Sequence, residues 1–378
     1  MFQHRGSFYI SFSTFSLTAK HQFMKKIVFI FILFVSIQKT FSQGCVAIRS
    51  TGGMCEMDHH MDSTKWQMTV NNRYFKSYKH FIGTVEQTQR QTLGTEVINH
   101  DYTMDVAIQR KINSRWSVMI DIPIISNTRS SLYEHNNILR YTTSTFGVGD
   151  IRLAGYAWLL NPDKMPKGNI QLGLGIKLST GNYNCQDLFH VTADSLRAGP
   201  VDQSIQLGDG GTGITFEMNT FYNFSHQFSV YGNFYYLSNP QDVNGISTAR
   251  GATPSSSAIQ NTSYVMSVPD QMMLRGGVNY THKSFTYSVG VRDECLPVYD
   301  LIGKSDGFRR PGYIVSIEPG VTYSMKKMNF YLYVPYAVER NRTQSVPDKI
   351  TTQLTGKYTQ GDAAFADYTI NIGMNIKF

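Results

Sequence analysis

The chain has 378 residues, of which 16% are charged and 13% are aromatic, with 23 Tyr and 23 Phe. This composition is unusual for a soluble enzyme and typical of strands that face lipid. The formal net charge of +8 comes mostly from residues 1–42, which hold five basic and no acidic residues. The remaining 30 basic and 27 acidic residues give a net charge of +3, so the composition does not support nucleic-acid binding.

The N-terminus is predicted to be an export signal. Two lysines precede an apolar run at residues 27–37, which is too short for a transmembrane helix. Small residues follow the run, and cleavage is expected between Ser42 and Gln43. Met24 is the natural start of this signal, so residues 1–42 are interpreted as an upstream extension followed by a signal peptide.

Residues 43–65 are predicted to form a periplasmic segment or a small plug before the first strand. Two alternatives stay open for this segment. Cys45 would be lipidated if the leader were a lipoprotein signal, although Ser42 stands where such a signal normally has Leu. The Met, His and Cys side chains between Met54 and Asp62 are of a kind that suits copper, but we assign no metal to them.

Beyond residue 65, alternation of apolar and polar residues with period 2 recurs, as is typical of strands with two different faces. The last strand alternates as far as the terminal Phe378, and this ending resembles the signal by which the barrel assembly machinery recognises outer-membrane barrels. Eleven further strands of about ten residues, enough to cross a bilayer when tilted, are predicted near 66–80, 97–110, 115–125, 146–160, 168–179, 213–224, 227–238, 268–281, 284–293, 312–324 and 328–340.

The connections between these strands alternate between tight and long. The tight ones lie at 111–114, 161–167, 225–226, 282–283 and 325–327, and the long ones near 81–96, 126–145, 180–212, 239–267, 294–311 and 341–366. Outer-membrane barrels have short periplasmic turns and long outer loops. Residues 66–378 are therefore predicted to be an all-β, antiparallel transmembrane barrel of about 12 strands, with a range of 10–14, and both termini in the periplasm.

Three glycine-containing segments carry a resemblance to a known family. They are Gly147–Leu153 (GVGDIRL), Gly173–Gly181 (GLGIKLSTG) and Gly208–Gly213 (GDGGTG). Their succession resembles the outer-membrane family named after the meta pathway of phenol degradation, which is related to the long-chain fatty acid channel family. The resemblance implies a transporter-like barrel for small, often hydrophobic or aromatic compounds. Gly208–Gly213 is interpreted as a turn, because a strand and not a helix follows it.

Charged residues recur on the predicted inner faces of the strands. A lipid-facing Arg or Lys near the midplane would cost about 2–4 kcal/mol, so these residues are expected to face the lumen and to pair across a narrow interior. A structural salt-bridge core and a solute path both fit this pattern. The ten residues are Arg73, Asp105, Asp121, Arg152, Lys177, Glu217, Arg275, Arg292, Glu318 and Glu339. Aromatic side chains such as Tyr156, Trp158, Tyr231, Tyr235 and Tyr331 are expected beside them.

The four cysteines are expected to pair by compartment, since an exported chain meets an oxidising environment. Cys45 and Cys55 precede the first strand, whereas Cys185 and Cys295 fall in the third and fifth long loops. The topology therefore predicts a Cys45–Cys55 disulfide and a Cys185–Cys295 disulfide.

The sequence favours an outer-membrane channel for passive uptake of small, hydrophobic or aromatic compounds, with no cofactor and no catalytic residue. A structural or partner-binding barrel that acts through its outer loops is the first alternative. An outer-membrane phospholipase is the second, because such enzymes use a His-x-Ser pair on a strand. The pair found here, His282 and Ser284, is predicted to flank a periplasmic turn, away from the outer leaflet.

Overall fold

The computed structural model describes residues 65–378. Its main feature is a closed barrel of twelve antiparallel strands, which confirms the predicted fold class. The strands are β1 (Trp66–Ile82), β2 (Ile98–Lys111), β3 (Trp116–Ser131), β4 in two segments (Tyr141–Val148 and Arg152–Trp158), β5 (Gly168–Lys177), β6 (Gly213–Asn223), β7 (Phe228–Ser238), β8 (Gln271–His282), β9 (Phe285–Leu296), β10 (Gly312–Ser324), β11 in two segments (Met328–Tyr333 and Tyr336–Arg342) and β12 (Ala363–Lys377).

Each strand pairs with the next along the chain, and β12 pairs with β1 to close the barrel. Because neighbouring strands are antiparallel, all tight connections lie at one end of the barrel, which we call the short-turn end. The other, long-loop end carries loop 1 (83–97), loop 2 (132–140), loop 3 (178–212), loop 4 (239–270), loop 5 (297–311) and loop 6 (343–362). The predicted alternation of tight and long connections is confirmed, although loop 2 is short.

Loop 2 is shorter than predicted because β3 continues beyond residue 125 to Ser131 and β4 begins at Tyr141. The side chains of this extension still alternate in burial, but those on both faces are polar, as with Asn127 and Thr128. The apolar pattern stops where the strand leaves the apolar band, whereas the backbone ladder continues.

The outer surface of the wall carries exposed apolar side chains between two rings of aromatic residues. Trp66, Trp116, Phe228 and Phe285 are exposed near the short-turn end. Cross-strand pairing brings exposed Tyr74 beside Tyr102, and Tyr336 beside Tyr368, nearer the long-loop end. Eight residues separate Trp66 from Tyr74, or about 27 Å along the strand. With strands tilted by about 35–45°, this spacing corresponds to a height of roughly 19–22 Å, close to the apolar band of about 25 Å that outer-membrane barrels present to lipid.

Inside the wall, glycines opposite tyrosines allow the rings to lie against the strands. Gly320 is the cross-strand partner of Tyr333, and Gly373 is the partner of Tyr331. A Cβ atom on Gly320 would lie 2.0 Å from the ring of Tyr333, and one on Gly373 would lie 2.3 Å from that of Tyr331. The absence of a side chain on these glycines therefore fixes where the buried tyrosine rings lie.

The loops contain short elements of their own. The loop-3 hairpin pairs Gln186–His190 with Leu196–Pro200, and a loop-4 hairpin pairs Val243–Ser247 with Val265–Ser267. Val85–Glu86 turns back and pairs with the end of β1. The α-helices are α1 (Gln89–Thr92), α2 (Ser256–Gln260) and α3 (Val346–Thr355), and 3₁₀ turns occupy Tyr133–His135, Pro162–Lys164 and Gln203–Ile205. None of the α-helices in the described part of the chain is long and apolar enough to cross a membrane.

Local sequence features explain where helix α3, the longest of these helices, begins and ends. Ser345 and Asp348 form a capping box at its start, in which each side chain accepts a hydrogen bond from the other's backbone N–H. Gly356 ends the helix in the left-handed conformation, with φ at +68°. The helix is thereby held over the barrel mouth in loop 6.

Candidate functional site

The lumen is filled by side chains of the predicted inward-facing charges. Nine of the ten are buried, each less than a tenth exposed: Arg73, Asp105, Asp121, Arg152, Lys177, Glu217, Arg275, Arg292 and Glu318. Their burial within a wall whose outer face is apolar is consistent with a polar interior. The role of these residues in a solute path stays a prediction.

One group of these charges is centred on Arg152 of β4. Its guanidinium pairs with Glu217 of β6 and lies 3.6 Å from the carboxylate of Asp121. The hydroxyl of Tyr156 donates to Glu217 over 3.1 Å. The ring of Tyr235 faces the guanidinium at 5.5 Å. Two carboxylates and two aromatic rings thus surround one buried cation.

A second group is centred on Glu318 of β10, which is fully buried. Arg275 pairs with this carboxylate, and Arg292 lies 3.4 Å from it and 2.8 Å from Glu294. The guanidinium of Arg275 also lies over the ring of Tyr333 at 4.9 Å. Charges of both signs alternate around the interior, so the lumen lacks a ring of one sign.

Glu339 is the exception among the ten predicted residues, and its expected inward position is wrong. Its side chain is exposed and accepts a hydrogen bond from the hydroxyl of Tyr313. The strand is interrupted after Tyr333, and the register between β10 and β11 shifts between the Val315–Glu339 and Ser316–Ala337 pairs. The extra residue reverses which face the following side chains occupy.

The wall has a seam beside β4, where the three glycine-containing segments of the sequence meet. The upper segment of β4, Tyr141–Val148, pairs with β3, but its other edge forms no strand pairing within the described residues. Loop 3 covers that edge: the hydroxyl of Thr145 donates to the carbonyl of Ile205 over 2.6 Å, and the amide of Ser144 donates to Asp187 over 2.9 Å.

Asp150 ties the seam together at the break in β4. Its carboxylate accepts from the amides of Gly181 at 2.9 Å and Asp209 at 3.2 Å, and from the ammonium of Lys177 at 3.4 Å. Lys177 also pairs with Asp209. Side-chain contacts therefore close the seam in place of a backbone ladder.

The barrel mouth is closed by an ion-pair latch between three segments. Asp202 of loop 3 accepts two hydrogen bonds from Arg310 of loop 5, at 2.9 and 2.6 Å, and lies 3.4 Å from Arg129 at the end of β3. Burial alone would raise the pKa of Asp202, but Arg129 and Arg310 hold this pKa well below its usual range. The carboxyl group is therefore ionised at neutral pH.

Two cavities flank the latch. The inner cavity, of about 150 Å³, is lined by Asp121, Arg152, Lys177 and Tyr235 of the wall and by loop-3 residues after Asp202. The outer vestibule, of about 490 Å³, lies among loops 1, 4, 5 and 6, and its lining includes Arg90, Arg129, Arg309, Arg310 and Arg342. Arg310 lines both spaces.

The predicted disulfide between Cys185 and Cys295 is not formed. Cys185 packs in an apolar cluster with Ile125, Val201 and Ile205, which holds loop 3 against β3. Cys295 lies near the end of β9, opposite Met272 and Tyr313. Cys295 lies in a strand and not in the predicted fifth loop, whereas Cys185 of loop 3 packs against β3, so a shared compartment does not bring the thiols together.

Several predictions fall on residues outside those that the structure describes. They are the upstream extension and signal peptide, the 43–65 plug apart from Lys65, the Cys45–Cys55 disulfide, and the copper alternative for Met54–Asp62. Within the described residues, no three His, Cys, Asp or Glu side chains group as a metal site would require. His282 and Ser284 flank a tight turn in which Lys283 has φ at +54°.

Sequence reasoning missed the latch residues Arg129, Asp202 and Arg310. Arg129 continues the inward alternation of β3, so extending that pattern past residue 125 would have found it. The adjacent arginines at 309 and 310 in a loop were a weaker signal. Asp202 is 108 residues from Arg310, and no local pattern links them.

Comparison with known proteins gives a likeness at the level of structure. No family model and no curated protein matches the chain. The COG4313 outer membrane channel from Pseudomonas putida F1 is 9% identical with a TM-score of 0.53, over 88% of this chain and all of that one. The toluene transporter TodX from Pseudomonas putida is 7% identical with a TM-score of 0.41, over 89% of this chain and 96% of that one.

A FadL homologue from Pseudomonas aeruginosa is 9% identical with a TM-score of 0.39, over 84% of this chain and 90% of that one. The expected resemblance to outer-membrane transporter barrels is confirmed at the level of the fold. The chain therefore has the fold of an outer-membrane β-barrel channel.

Proposed function

We propose that this chain is an outer-membrane channel for the passive uptake of small, hydrophobic or aromatic compounds through a narrow lumen that loop 3 gates. The observation that carries the proposal is the pair of cavities inside the barrel mouth, one on each side of the Asp202–Arg310 latch. The inner cavity of about 150 Å³ has a size that holds one benzene-sized molecule.

The packed interior supports a narrow path for small solutes. Buried charges such as Arg152 and Glu318 have partners on nearby strands, and leaving such a buried charge without its partner costs about 3–5 kcal/mol. A large hydrated solute would have to break several such pairs at once. A single ring can instead use the aromatic face of Tyr235, which lines the inner cavity.

The seam beside β4 favours an exit in which the solute leaves sideways into lipid. It makes a direct exit to the short-turn end less favourable. Below the cavity, amide side chains of neighbouring strands bond along the inner wall: Asn219 donates to Gln171 at 3.1 Å, and Asn233 donates to Asn219 at 2.8 Å. The seam has fewer constraints, because loop 3 can leave the edge of Tyr141–Val148 without breaking a strand pairing. Its outer surface is also apolar, with Phe146 77% exposed.

Two alternatives have weaker support. A partner-binding barrel would present its loops outward, whereas loop 3 buries Phe189, Val201 and Ile205 completely. An outer-membrane phospholipase would need its His and Ser near the outer leaflet, whereas His282 and Ser284 flank a turn at the short-turn end.

Uptake into proteoliposomes tests the proposal. Purified protein is reconstituted, and the entry of radiolabelled benzyl alcohol, benzoate and sucrose is followed by rapid filtration, with protein-free vesicles as the control. We expect at least one of the aromatic solutes to enter several-fold faster than into protein-free vesicles, and sucrose to enter at the protein-free rate. Entry of all three at the protein-free rate would reject the channel, and fast entry of sucrose would reject the narrow lumen.

A further inference from the structure

The latch has the geometry of a carboxylate-binding site that is occupied by the chain's own carboxylate. Both oxygens of Asp202 accept from the fork of Arg310, at 2.9 and 2.6 Å, which is the bidentate arrangement that guanidinium groups form with carboxylates. Arg129 contributes a second cation at 3.4 Å. Ser204, two residues further along loop 3, donates its amide to Asp202 at 3.0 Å and its hydroxyl at 2.7 Å, so these two bonds leave with the loop and the arginines alone remain for a solute.

The two arginines are held in place without Asp202. Arg129 also donates to Glu134 at 3.0 Å and to Asn99 at 3.0 Å, and its side chain is 4% exposed. Arg310 lies over the ring of Phe308 at 4.7 Å. Their positions therefore do not depend on loop 3 alone, and a cationic pocket would persist when loop 3 moves away.

The surroundings fit a carboxylate that is attached to an apolar ring. The vestibule opens onto Arg129 and Arg310, and its lining includes the apolar side chains of Tyr133, Phe308 and Pro347. Its volume of about 490 Å³ lies within the usual range for small-molecule sites, about 300–1,000 Å³. A carboxylate that reached the two arginines would lie between the vestibule and the inner cavity.

We propose that Arg310 and Arg129 recognise the carboxylate of a small aromatic acid, and that this acid opens the passage by taking the place of Asp202. The inference rests on the proposed function and names the substrate class for it. Asp202 is then an internal competitor: the site is available to a solute only in the fraction of molecules whose loop 3 has moved away. The apparent affinity for the acid is lowered by that fraction.

Benzoate binding to the purified full-length protein in detergent, measured by isothermal titration calorimetry, tests this competition. D202N keeps the shape and the hydrogen-bond acceptor of Asp202 but removes its charge. We expect D202N to bind benzoate at least ~10-fold more tightly than the wild type, and R310Q to lose detectable binding. R310K keeps the charge without the bidentate fork, and we expect it to bind benzoate more weakly than the wild type.

The control D362N removes a negative charge from the same vestibule without touching the latch, since Asp362 pairs with Arg90 and His80. Equal tightening by D362N and D202N would attribute the effect to vestibule charge and overturn the proposal. Unchanged affinity in D202N, or no benzoate binding in any variant, would also overturn it. If D202N fails to fold, R310K decides: weaker binding supports the site, and unchanged binding overturns it.

Uptake of benzyl alcohol, a neutral molecule with the same ring, separates this inference from the proposed function. Benzyl alcohol uptake without benzoate binding would leave the channel standing and remove the carboxylate site. Benzoate binding with the expected response to D202N and R310Q, but no uptake of either solute, would keep the site and reject the channel.

Discussion

The two halves of the barrel are closed in different ways. Near the short-turn end, neutral side chains of nearby strands bond along the inner wall, as when Tyr331 donates to Asn71 at 3.2 Å, and the strand ladder is continuous. Near the long-loop end, the wall is interrupted at β4 and at β11, and ion pairs join distant segments at the mouth, as between Asp202 and Arg310.

This difference indicates which half is permanent and which half can move. Tyrosine rings against Gly320 and Gly373 fill space that only a large rearrangement would vacate. An ion pair between two loops can instead exchange one partner for a solute ion of the same charge. We therefore expect opening to begin in the long-loop half, with the short-turn half as a fixed frame.

Locking loop 3 to the seam is expected to have the largest effect on transport. The amide of Ser144 on β4 donates to the carboxylate of Asp187 in the loop-3 hairpin at 2.9 Å, so a disulfide in S144C/D187C would tie the loop to the wall. We expect uptake to fall to the protein-free rate and to return when the disulfide is reduced. Each single cysteine variant is the control. Undiminished uptake in the cross-linked protein would contradict a moving loop 3.

Removing a charge inside the lumen should lower the free energy of unfolding much more than removing an exposed charge. E318Q leaves Arg275 and Arg292 without their shared carboxylate, and breaking such a buried pair costs about 3–5 kcal/mol. E339Q alters an exposed side chain and is expected to cost less than about 1 kcal/mol. Urea unfolding in lipid vesicles, followed by tryptophan fluorescence, measures both. Similar losses would mean that the lumen pairs do not stabilise the frame.

The glycines against tyrosine rings provide the next test of the fixed frame. G320A adds a methyl group where the ring of Tyr333 already lies, and such overpacking is expected to cost about 2–3 kcal/mol. Gly155 of β4 is the matched control, because a Cβ atom there would meet nothing within 4 Å. The same unfolding assay compares G320A with G155A. Equal stabilities would mean that the packing of tyrosine rings against glycines does not stabilise the short-turn half.

The sequence predicted the frame better than the gate, for a physical reason. Lipid and lumen impose a period of two on residues such as Leu174 and Gly175, so each strand can be read by itself. Beyond the apolar band that contrast ends, so the sequence predicts a loop where β3 continues to Ser131. Glu339 was misplaced because the register shift lies in tertiary pairing. The latch joins residues 108 positions apart, which alternation cannot connect.

The smallest expected effect concerns acid release of loop 1 from loop 6. Arg90 of loop 1 donates to Asp362 of loop 6 at 2.9 Å, and His80 lies 3.1 Å from the same carboxylate. Burial raises the pKa of Asp362, but His80 and Arg90 lower it further, to about 2. An undocked Asp has a pKa of about 3.9.

Because the docked pKa is the lower one, the tie is complete above about pH 4 and is lost as the pH falls through about 2. A shift of this size corresponds to about 2 kcal/mol of docking free energy. Pepsin cleavage within residues 83–97 measures it: we expect protection of the wild type at pH 4, cleavage below pH 2, and cleavage of D362N at both. Equal cleavage of D362N and the wild type at pH 4 would mean that neutral contacts hold loop 1. Of these two ion-pair groups at the long-loop end, only the latch would then hold a loop in place.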